Sequence, residues 1–186
     1  VVFWCHDLIV APAAIRNGYT DVQGAHSSLA RIKSLLREGN YSFRDRQAMK
    51  SKRDALMHYI LWHQITENFL LQFKMVSPDL YGQMDSLKDS KGRVVDIYVQ
   101  FVPEKSLPRG IMGLSNIDND QDDPHAYRSE FGANTASVVI AAGKKSLQIL
   151  AHEFGHVQYQ VQNLAEYFKF YNKSYRQSTS KPKSIG

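Results

Sequence analysis

Residues 150–160 read LAHEFGHVQYQ, and His152, Glu153 and His156 within them make an HExxH pattern. Residues four apart on an α-helix are neighbours, about 6 Å apart along the axis. Two imidazoles so placed can converge on one cation at ~2.0–2.1 Å. Glu153 comes one residue after the first histidine, about 100° further round the helix, and so need not bind the ion. It can face a water held there and accept its proton. One helical turn thus offers two zinc ligands and a general base. A chain with seven histidines and six glutamates carries this pattern by chance roughly once in 100. The flanking Ile149, Leu150, Ala151 and Val157 are uncharged, as the apolar side of a packed helix requires. Gly155 costs ~1 kcal/mol relative to alanine inside a helix. Its presence predicts close approach by another element, such as a strand.

AHEFGHV resembles the active-site helix of the zincin metallopeptidases. The resemblance is specific over about 146–160 and looser over 94–160, where strands precede the helix. It says little about 1–90. It implies a zincin-like α+β fold, Zn2+ as cofactor and a peptide or protein substrate. It further implies His152 and His156 as zinc ligands and Glu153 as the residue that activates water. Zincins also hold extended substrate by strand addition on an edge strand upstream of this helix. IMGLSNI (111–117) and SVVIAA (137–142) are the candidates here.

A catalytic zinc takes three protein ligands and keeps one open position. The metzincin extension needs glycine at position 159 and histidine at 162, where this chain has Tyr159 and Gln162. A gluzincin pattern places a glutamate on a following helix, and Glu166 is the one acidic residue after His156. On a straight helix Glu166 would lie about 15 Å up the axis, so a break at Asn163 is needed to bring it back. The other sources are upstream, such as His125 or Glu130, or beyond Gly186. His125, Tyr127, Tyr167 and Tyr171 have the chemistry to polarise a carbonyl.

The elements that must position these residues can be read from periodicity. Apolar residues at helical spacing run over Val22–Glu38, with Gly39-Asn40 as a stop. A longer helix is expected from about Phe43 to Met75, ended by Ser77-Pro78. VVDIYVQFVP (94–103) reads as a strand, IMGLSNI as a weaker one and SVVIAA as a short buried one. The polar stretch 119–134 reads as a loop. A helix opens near Ser146 and continues over 164–171. The opening VVFWCHDLIVAPAA lacks a charged front and reads as a first strand. The expectation is a single α+β domain over 1–186. Residues 1–90 are mainly helical, 91–172 hold a small mixed sheet and the HExxH helix, and 173–186 form a flexible tail.

Composition narrows the function classes. The chain has 186 residues, 43% hydrophobic and 22% charged, which suits a protein with a real core. No apolar run approaches the roughly 20 residues of a membrane span. A single cysteine, Cys5, rules out an internal disulfide and thiolate zinc clusters. The net charge of +5 gathers between Arg31 and Arg53 and again from Lys169 to Lys183. No interleaved aromatics accompany it, so a solvated face is expected rather than a nucleic-acid partner. Asp118, Asp120 and Asp122 alternate like the start of a calcium loop. The positions that should be glycine and glutamate are Asp123 and Ser129, so an acidic surface loop is expected. His58 and His63, five apart on the long helix, read as structural. Two readings stand beside the peptidase: a zinc amidase or deacylase, and a non-catalytic zincin-like module with an incomplete metal site.

Overall fold

The computed structural model describes residues 14–120 and 123–170, with the side chains of 119, 120 and 123–125 outside that description. The architecture is α+β. Strand β1 (Ile15–Asn17) is followed by helices α1 (Val22–Glu38), α2 (Phe43–Val76) and α3 (Pro78–Asp85). Then come β2 (Asp96–Val102), β3 (Gly113–Asn116), β4 (Asp118–Asp120), β5 (Asp123–Ser129), β6 (Gly132–Ala133) and β7 (Thr135–Ala141). Helix α4 (Ser146–Gln162) follows, and residues 164–170 are helical again after a bend at Asn163.

The main sheet has the order β1-β2-β7-β3. The β1–β2 and β2–β7 pairs are parallel and β3 runs antiparallel to β7. Parallel strands are covered on both faces and read as continuous apolar runs. TASVVIA of β7 does so, and Ala136, Val138 and Ile140 are fully buried. Ile97, Val99 and Phe101 of β2 pair with these three residues and so share their face. That face meets the helices. Phe69 of α2 stacks on Phe101 at 4.4 Å, and Phe73 meets Phe154 of α4 edge-on at 5.7 Å. On the opposite face Tyr98 stacks on Phe131, in the turn between β5 and β6, at 4.3 Å.

Helix boundaries follow local chemistry. Gly39 ends α1 with φ of 84°, in the left-handed region that glycine enters freely. Ser42 caps α2 by accepting from the Asp45 backbone N–H. Ser77-Pro78 stops α2 as expected, but Pro78 also opens α3 from its first turn, where its missing N–H costs nothing. Stretch 119–134, expected as a loop, instead forms the three-stranded sheet β4-β5-β6. Its anchor is Tyr127, 1% exposed, with Ser129 and Thr135 buried and bonded to each other at 2.6 Å. Polar residues hide such a strand from a hydrophobicity reading. Strand β1 was also invisible to patterning. It forms because Asp85 accepts the Ala14 and Ile15 amides and because Ile15–Asn17 pairs with Ile97–Val99. The expected first strand and flexible tail, and Cys5, lie outside the described residues.

Candidate metal centre

Helix α4 begins immediately after β7 because Ser146 ties the two together. Its hydroxyl donates to the carbonyls of Ala141 and Gly143 and accepts from the Gly143 amide. Leu150, Phe154, Val157 and Val161 are fully buried and fix the helix rotation. The HExxH turn therefore presents His152 and His156 outward, both exposed. Their Nε2 atoms are 2.9 Å apart, with ring centroids at 4.5 Å and planes at 89°. Two imidazoles sharing a tetrahedral zinc at ~2.05 Å would hold their nitrogens about 3.3 Å apart. The observed pair is about 0.4 Å closer than that, at hydrogen-bonding distance. A small rotation of the rings would open the pair to the spacing that zinc takes.

Glu153 lies on the side of the helix that meets β3. It is 7% exposed and lies where β3 crosses α4. A Cβ built on Gly113 would fall 2.8 Å from Glu153 Oε1 and 2.6 Å from Ile149 Cγ2. The strand passes this close only because residue 113 is glycine. The close approach expected at Gly155 is therefore found at Gly113 instead. Nothing lies within 4 Å of a Cβ at 155. Among the described residues β3 is an edge strand of the sheet, as β1 is at the other side, and β7 is interior. Of the two candidate edge strands, IMGLSNI holds that place and SVVIAA does not.

Of the candidate third ligands, Glu166 and Glu130 do not join the pair. Glu166 is exposed on the segment beyond Asn163. Glu130 accepts from Ser137 Oγ at 2.8 Å and Asn116 Nδ2 at 3.3 Å. Ser137 alternates with Ile140, whose partner Gly113 faces α4, so Glu130 lies on the opposite face of the sheet. Among the described residues no three His, Cys, Asp or Glu side chains form a metal-holding group. The side chain of His125 and that of Tyr171 lie outside the description, as do those of Asp120, Asp122 and Asp123.

Other candidates take structural places. Tyr127 is buried and donates to Asp89 Oδ2 at 3.4 Å, and burial pushes its phenol well above the usual range. Tyr167 packs on Phe168 at 5.2 Å. His58 accepts from the Trp62 indole at 2.9 Å, and His63 bonds the Tyr19 carbonyl at 3.2 Å. Two residues escaped the sequence reading. One is Gly113, signalled only by a glycine inside a weak strand. The other is Gln160, one turn after His156, whose buried Oε1 has no hydrogen-bond partner among the described residues. A cavity of about 390 Å³ lies between α2 and the first turn of α4, lined by Phe69, Phe101, Ser146 and Leu147 among others. It contains none of the HExxH residues.

Comparison with family models, curated proteins and solved structures gave no match.

Proposed function

We propose that this chain is a zinc-dependent metallopeptidase with a zincin-like arrangement of edge strand and active-site helix. The observation that carries the reading is the pair of Nε2 atoms 2.9 Å apart on the helix turn whose glutamate is held against an edge strand. His152 and His156 would hold the ion through Nε2. The reading requires a third donor from outside the described residues. When bound, zinc acts as a Lewis acid on the scissile carbonyl and on water.

The rest is the work of the chain's own residues. An extended peptide adds to the outer edge of β3 by backbone hydrogen bonds, which brings its carbonyl beside Glu153. Glu153 accepts a proton from the attacking water as the oxygen bonds to the carbonyl carbon. The C–N bond then breaks, and Glu153 returns that proton to the departing nitrogen, leaving a carboxylic acid and an amine. The same steps serve any amide, so an amidase or deacylase differs only in what β3 admits.

The test is hydrolysis of casein and of a peptide library by the zinc-loaded chain, against Glu153→Gln. Loss of one general base is expected to lower the rate by about 10²–10⁴-fold. A second reading, a non-catalytic metal-binding module, draws on the lack of a third donor among the described residues. It expects no hydrolysis above the Glu153→Gln background.

A further inference from the structure

We infer that the hairpin of α1 and α2 is an arm whose tip docks on an anionic phospholipid surface. Among the described residues, α2 meets the sheet through its C-terminal half. Thr66 Oγ1 accepts from the Phe101 amide, Phe69 stacks on Phe101 and Phe73 reaches Phe154. Contacts with the body begin at Tyr59, which meets Tyr19, and Phe43, at the start of α2, lies about 24 Å before it at 1.5 Å per residue. Over that span α2 packs chiefly on α1, whose buried residues are Ala25 and Ile32. The two helices therefore project from the body of the protein.

The tip joins two features that water alone does not reward. Phe43 is 79% exposed and Tyr41 39% exposed. Around them stand Arg37, Arg44 and Arg46, all exposed and without an ion-pair partner among the described residues. The two carboxylates among them are engaged by hydroxyls, Asp45 by Ser42 at 2.6 Å and Glu38 by Ser34 at 3.3 Å. From Arg31 to Arg53 there are eight lysines and arginines against two carboxylates, so the excess positive charge of the chain is concentrated on this arm. Gly39 and the Ser42 cap fix the linker between the helices, which holds the aromatic pair in place before any partner arrives.

An anionic bilayer accepts both features. Arginines bind the headgroups, and an aromatic ring enters the boundary between headgroups and acyl chains. A nucleic-acid duplex would take the charges and leave Phe43 in water. This inference is independent of the zinc reading.

The experiment is co-sedimentation of the full chain with vesicles of phosphatidylcholine alone and of phosphatidylcholine mixed with phosphatidylglycerol. Binding to the anionic vesicles is expected to be at least about tenfold stronger, and to weaken with salt. Phe43→Ser should lower it at least about fivefold, and the Arg44→Glu/Arg46→Glu double variant at least about tenfold. Circular dichroism checks that the variants stay helical. Equal partitioning of the wild type between the two vesicle types overturns the inference without reference to any variant. So does unchanged binding by Phe43→Ser, or tighter binding of the wild type to an oligonucleotide probe than to the anionic vesicles.

Discussion

Gly113 and Glu153 touch across the junction of β3 and α4, leaving no room for a side chain at position 113. A Cβ there would sit 2.8 Å from the carboxylate oxygen and 3.0 Å from Cγ of Glu153. The contact ties the proposed base to the strand proposed to receive substrate, so a change at one must move the other.

Gly113→Ala should therefore cost both stability and activity. Overpacking of this kind destabilises by roughly 1–3 kcal/mol. A displaced Glu153 should lower hydrolysis by about tenfold or more. Thermal unfolding and peptide hydrolysis measure the two effects. Gly155→Ala is the control, because a Cβ there meets open space. It should be neutral or stabilise by up to about 1 kcal/mol. Equal tolerance at the two glycines would contradict the account.

Neither acidic residue suggested by the sequence as a zinc ligand is placed to be one. Glu166→Gln and Glu130→Gln should each leave zinc content unchanged. Glu130→Gln should weaken the bonds to Ser137 and Asn116, at roughly 0.5–1.5 kcal/mol. Elemental analysis of either variant showing lost metal would require a different geometry for the C-terminal helix or for the β5–β6 turn.

Asp89 sets a limit on acid stability. Its side chain is fully buried and bonds Arg93 Nε and Nη2, each at 2.8 Å, and the backbone amides of Lys91 and Arg93, each at 2.9 Å. Burial alone would raise its carboxyl. The bonds from the Arg93 amide and guanidinium and from the Lys91 amide win, and hold it below the usual carboxylate value. The stability it contributes is then fully present above about pH 4, the unfolded value. It is lost as pH falls through the lower folded value. Asp89→Asn should cost roughly 1–3 kcal/mol at neutral pH and flatten the acid limb of the stability curve. An unaltered acid limb in urea titrations would show that the turn does not depend on the charge.

What the sequence revealed and what it hid divide along physical lines. Helix α1, the stop at Ser77-Pro78, β7 and α4 were legible because apolar periodicity and capping residues act locally. The adjacency of His152 and His156 was legible because a helix fixes residues four apart. The tertiary features were not. Strand β5 is polar and depends on one anchor, Tyr127. Strand β1 depends on Asp85, some 70 residues away in the chain. Glycine chemistry also misled. A costly Gly155 suggested close packing, while the close contact falls at Gly113, whose partner is visible only once β3 lies across α4.

The most direct test of the central claim is zinc content by elemental analysis of the purified chain and of His156→Ala, both after zinc supplementation and dialysis. The account predicts about one zinc per chain in the wild type, as two helix histidines and a third donor would hold, and its loss in the variant. A wild type that retains no zinc, or a variant that retains as much as the wild type, would contradict it.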